Sequence, residues 1–190
     1  MTIGEYLIVF MSIIIGLAVA DLAFSLHRLL RRGRAIRWDW LMPTLALVVM
    51  CLILNVWWAI FYWYREVPQI TFVAFLPDVF LVLSLFLLSA AVLPDERLPD
   101  GADLRVIYLE ARRHVWWTFA AYLLAVMGKA AMMLAERGRL AEWPALQWDN
   151  VLFFLVAIAL GWTRRAWLHG LVIGAWLLAI CFQWFGTTLR

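Results

Sequence analysis

Lysine is almost missing from this chain: among its 16 basic residues the single lysine, Lys129, lies inside an apolar run, and the others are arginine. Charge of either sign is scarce as well, at 15% of 190 residues, where a soluble domain carries about 25%. That shortage excludes an ordinary water-facing surface. With 66% hydrophobic residues and a mean hydropathy of +0.87, lipid is the medium expected to cover most of the protein. The two cysteines, Cys51 and Cys181, fall in apolar spans and read as small buried hydrophobes, not as a disulfide or a metal pair. Enzyme signatures are absent: there is no GxSxG, no Walker or dinucleotide glycine loop and no HExxH. The net charge of +3 comes from arginines gathered beside apolar runs, a pattern that points to anionic lipid headgroups and away from nucleic acid.

What the chain does have is long apolar segments, at 6–26, 40–63, 71–93, 115–135, 150–163 and 166–185. A helix needs about 20 such residues to cross about 30 Å of hydrocarbon. The pattern predicts an all-α, polytopic membrane bundle of about six transmembrane helices, a single membrane domain with no room for a soluble one. The fifth segment is the shortest, about 14 residues before Arg164 and Arg165, and is expected to be tilted, re-entrant or extended through 143–148. The first segment is not a signal peptide despite Ala18-Val19-Ala20, because its leader carries Glu5 and its positive charge follows the span.

That following charge, the basic run from His27 to Arg37, sets the expected orientation, since arginine is retained on the cytoplasmic side. The same side then receives Arg97, Arg105, Arg112, Arg113, Arg164 and Arg165, giving 11 arginines inside against Arg65, Arg137, Arg139 and Arg190 outside. Both termini are therefore expected outside a bacterial inner membrane. Ten of 13 tryptophans fall at the resulting interfaces, including Trp63, Trp143, Trp148 and Trp184 outside, where aromatic belts belong. Glu5, Glu66, Glu136 and Glu142 read as solvated residues of the outer rim. The longest loop, 94–114, is expected to be cytoplasmic. Its Asp103 is a candidate N-cap, and Leu104, Ile107, Tyr108 and Ala111 share one face of a helix that lies on the interface or extends the fourth span.

Polar residues inside spans are costly in lipid and are the candidate functional positions. Counted at 1.5 Å per residue from the outer boundary, Lys129 lies roughly 10 Å deep, Asp78 roughly 13 Å and Asn55 roughly 14 Å. The expectation is that Lys129 pairs with Asp78 and that Asn55 hydrogen-bonds one or both, unless the lysine stem lets its ammonium snorkel outward. Pro77 adds to this: inside a helix it leaves the Val73 carbonyl without its usual donor. In the alternative, Pro77 occupies the first turn of a shorter third helix. Asp21, followed on one face by Ser25, Arg28 and Arg32, reads as a packing ion pair or as a relay opening to the cytoplasm. His27, His114 and His169 all fall near the inner boundary and are a weak metal or haem candidate. Small residues recur at Ser12, Gly16 and Ala20, and at Gly170 and Gly174, a spacing for close helix packing within or between protomers.

Three functions follow as expectations. The first is a channel or secondary transporter for a small ion or proton, built on Asp78, Lys129, Asn55 and Asp21 in a homo-oligomer. The second is a non-transporting membrane subunit or scaffold in which the charges form a clamp. The third is a membrane redox or lipid-modifying enzyme using the histidines. No cofactor is expected, and the partners are membrane lipids and other copies of the chain.

Overall fold

The computed structural model describes residues 2–65, 67, 69–94 and 98–185, the side chains of 183–185 excepted. Glu66, Arg97 and Arg190, and the side chain of Trp184, lie outside the described residues. The elements are α1 (Ile3–Arg32), α2 (Leu41–Tyr64), α3 (Phe72–Val92), α4 (Leu104–Glu136), the short α5 (Trp143–Leu146), α6 (Trp148–Trp162) and α7 (Ala166–Phe185). Among the described residues there is no strand, only an isolated parallel bridge between Arg37 and Asp103.

Four helices, α1 to α4, are long and apolar enough to cross a membrane. A fifth span exists if the segments Leu140–Leu146 and Trp148–Trp162, bent by 59° at their junction, count as one. In α7 (20 residues) the stretch with described side chains, Ala166–Phe182, is apolar throughout most of its length. The described residues thus form an all-helical bundle with four to five apolar helices of spanning length. Only 22–44% of the residues in the four long apolar windows are buried within the protein. Phe24, Phe72, Phe80 and Leu87 are among the large apolar side chains left outside, far more than water tolerates on a monomer.

Two helices run past the apolar segments because their ends are capped. Thr2 and Glu5 form a reciprocal capping box that starts α1, which continues through His27 to Arg32, so half of the basic run is helical and not loop. The Asp103 carboxylate accepts from the amides of Arg105 and Val106 and starts α4, making residues 104–114 its first turns and not a separate interfacial helix. At the other end Gly138, with φ +66°, closes α4: its amide donates to the Ala135 carbonyl and that of Arg139 to Leu134, a Schellman motif.

Helices α1 to α4 alternate in direction along the chain, so α1 and α3, which pack on each other, run parallel. α2 touches α1, α3, α4 and α7, and α4 packs most extensively on α3 and α6. At one end of the bundle, here the amino end, Gly4 of α1 lies against the backbone of Tyr64, where a Cβ would collide with the Tyr64 carbonyl. At the opposite, arginine end, the segment after α1 is tied to the segment before α4. The Gly101 amide donates to the Ala35 carbonyl, Arg37 to Ala102 and Leu104 to Arg37, at 2.7–3.1 Å. Of the predicted small-residue contacts, Gly170 admits the Trp40 ring, and Ser12 accepts from the Trp57 indole N–H at 3.3 Å. A Cβ added at Gly16 or Gly174 would meet nothing within 4 Å among the described residues, so no close helix approach is seen at either.

Candidate functional site

Asp78 and Lys129 meet at the amino end of the bundle. Asp78 lies on α3 and Lys129 on α4, two helices in extensive contact, and both residues are buried, at 3% and 8% exposure. The Lys129 ammonium is hydrogen-bonded to Asp78 Oδ1. The other carboxylate oxygen, Oδ2, accepts the Tyr64 hydroxyl of α2 at 2.6 Å. The ammonium also lies 3.7 Å from the centre of the Trp63 ring, so it does not snorkel outward but sits between an anion and a π face. Every polar atom of the carboxylate is thus engaged, by groups from two other helices.

Pro77 stands well inside α3, which begins at Phe72 with a Thr71 cap, so the placement in a first turn does not hold. Its ring cannot donate to the Val73 carbonyl, and this break in the helix lies one residue before Asp78. Asp78, Lys129, Pro77, Trp63 and Tyr64 line a cleft of about 250 Å³ together with Met132, Met133 and Glu136.

Asn55 is not part of this cluster. It lies nine residues before Tyr64 on α2, and at about 100° per residue that is about half a revolution, so the two face opposite sides of the helix. Asn55 instead lines a second cavity, between α2, α4, α6 and α7. Asp21 is half-buried on α1, 17 residues from Gly4, which puts it about 26 Å along the axis from the amino end. One turn further on, Ser25 Oγ accepts from the Arg28 guanidinium at 2.9 Å.

The three histidines are not gathered. His27 and His114 are exposed, and among the described residues no group of three His, Cys, Asp or Glu side chains is placed to hold a metal. His169 is fully buried with both ring nitrogens engaged. Nε2 lies 3.2 Å from the Thr163 carbonyl, which only accepts, so Nε2 carries the proton. Nδ1 then accepts from the Tyr108 hydroxyl at 2.8 Å, and the Trp116 indole N–H is shared between the Tyr108 oxygen at 3.0 Å and Nδ1 at 3.1 Å. Those bonds leave no nitrogen free to ligate. This second polar cluster lies at the arginine end, 21 residues from Lys129 along α4, about 31 Å away.

The sequence reading passed over Tyr64, which completes the Asp78 site, and took Trp63 for a belt residue only. A signal was available: a tyrosine at the outer end of the second apolar run has an apolar body and a polar tip that can turn inward toward buried charges. Tyr108 and Trp116 were visible only as an apolar face and a belt residue. Compared with known proteins, the chain matches no family model, no curated protein and no solved structure.

Proposed function

We propose that this chain is a non-transporting, multi-pass integral membrane protein in which Asp78 and Lys129 form an internal clamp joining α2, α3 and α4. The carrying observation is the closed set of partners: the ammonium is held by Asp78 Oδ1 and Trp63, and Oδ2 by Tyr64. Charges so satisfied cost far less in lipid than unpaired ones and hold three helices in register. A route for ions needs polar groups at successive depths. Of the buried residues of α4 between Trp116 and Lys129, Tyr122 alone is polar.

The clamp acts within a plasma-membrane protein of about six spans, the bent α5–α6 pair and α7 crossing as the last two, with the arginine end cytoplasmic and both termini outside. The extensive apolar exteriors of α1 to α4 support insertion, and the arginine bias supports the orientation. Contact with anionic headgroups at the arginine end and assembly with further copies belong to the same proposal. A second reading, transport of a proton or small ion, draws on the cleft beside Pro77 that contains Asp78 and Lys129.

Flux from proteoliposomes separates the two. The clamp predicts the same proton and alkali-ion leak for wild type, Asp78→Asn and protein-free vesicles. A wild-type flux lost in Asp78→Asn overturns it in favour of transport. Resistance of the protein to alkaline extraction from membranes tests insertion, and labelling of single cysteines placed at Arg34 and Gly138 tests the orientation.

A further inference from the structure

The second cavity gathers polar groups that the clamp does not use. It has a volume of about 410 Å³, and Asn55, Tyr122, Asp149 and Asn150 line it. Asp149 and Asn150 stand in the first turn of α6, and the exposed Asp149 marks the mouth. Tyr122 is buried at the other side of the cavity, on α4. Asn150 is held by its side-chain amide donating to Gln147 Oε1 at 2.9 Å. Among the described residues, the Asn55 amide and the Tyr122 hydroxyl have no hydrogen-bond partner, and Asp149 has no cation: its carboxylate accepts from the backbone amide of Asn150 at 2.9 Å.

The Asn55 and Tyr122 polar groups open into the cavity, where water or a ligand can supply the partners that the described residues do not. The rest of the wall is apolar and aromatic. Trp176 stacks on Phe153 with ring centroids 4.5 Å apart, and Leu52 and Ile180 continue that surface. Among the described residues of the lining, Asp149 is the only charged one.

We infer that this cavity binds an organic cation, an ammonium group carried on an apolar body. The ammonium is drawn to Asp149, the body lies on the Trp176 and Phe153 wall, and the Asn55 and Tyr122 groups keep water or ligand polar atoms beyond it. An anion meets the Asp149 carboxylate first and is repelled. The volume falls within the range of about 300–1,000 Å³ typical of small-molecule sites. A free amine and the amine of a lipid headgroup share this chemistry. The inference uses none of the clamp residues and stands if the clamp fails.

The test is isothermal titration of the purified full chain in a neutral maltoside detergent, with benzyltrimethylammonium and benzenesulfonate as probes. The expected result is saturable binding of the cation, weakened at least tenfold in Asp149→Asn, and no binding of the sulfonate. Asp149 is exposed, so the variant is expected to fold. Ala179→Trp, which keeps the charge and fills the cavity from its wall, is expected to abolish binding. Competition by phosphatidylethanolamine but not by phosphatidylglycerol assigns the site to a lipid amine; no competition by either assigns it to a free amine. Absence of saturable binding, equal affinity in Asp149→Asn, or equal binding of benzenesulfonate overturns the inference.

Discussion

Replacing Asp78 with leucine is expected to damage the protein more than replacing Asp78 and Lys129 together. In the single variant the buried ammonium keeps only the Trp63 face, and the Tyr64 hydroxyl loses its acceptor. Breaking one side of a buried pair costs about 3–5 kcal/mol. Lys129→Met leaves a buried carboxylate that still accepts from Tyr64, a charge-assisted bond of about 1.5–3 kcal/mol, so it falls at the lower end of that range. With Asp78→Leu and Lys129→Met combined, no charge remains unpaired, and the residual defect is a Tyr64 hydroxyl without a partner, about 1–3 kcal/mol. Adding Tyr64→Phe removes that group, so the triple variant should return to within about 1 kcal/mol of wild type, the remainder being packing. For a chain of this length each kcal/mol shifts Tm by about 2–4 °C. The singles should therefore melt about 6–20 °C below wild type and the double about 2–12 °C below. Thermal unfolding in detergent, followed through the intrinsic tryptophan fluorescence, reads all four variants. A double no more stable than the worse single refutes the clamp, and a triple less stable than the double refutes the role given to Tyr64.

His169→Phe leaves the Tyr108 hydroxyl proton without its acceptor while the Trp116 N–H keeps the Tyr108 oxygen, for a loss of about 1–3 kcal/mol, and His169→Gln keeps an acceptor and should recover part of the Tm. Gly170→Ala places a methyl 2.5 Å from the Trp40 ring and should lower Tm; Trp40→Leu in the same chain should relieve the collision, which a two-variant melting cycle measures. Gly138→Ala forces an alanine to φ +66° and Asp103→Ala removes an N-cap; each should cost about 1 kcal/mol, and because the sites lie at opposite ends of α4 their effects should add in the double variant.

The helices were legible as apolar runs, and Asp103 as a cap, because both are properties of consecutive residues. Their lengths were not: α1 and α4 carry arginines and polar residues well beyond the apolar windows, with α4 capped at its two ends by Asp103 and Gly138. Counting along each helix gave Asp78, Lys129 and Asn55 similar depths, but depth is only one of two helical coordinates. The other is azimuth, and Asn55 misses on both, since the nine residues between it and Tyr64, the partner of Asp78, are about 14 Å of rise and about half a revolution. His169 failed as a ligand candidate for a related reason: sequence located it near an end but not the two donors, 53 and 61 residues away, that occupy its Nδ1.

If the chain is inserted as proposed, the unbroken length of α4 has a consequence for the host bilayer. Its polar clusters at Tyr108 and Lys129 are spaced by one rigid rod, about 31 Å apart, close to a typical hydrocarbon thickness of about 30 Å. In a thinner membrane neither end can be spared without dragging a hydrogen-bonded cluster out of its packing, so the protein must tilt or the bilayer must swell around it. α4 is in that sense a ruler. Reconstituted in lipids of graded acyl-chain length, the chain should be most stable at the length that matches the rod and lose stability on both sides of it.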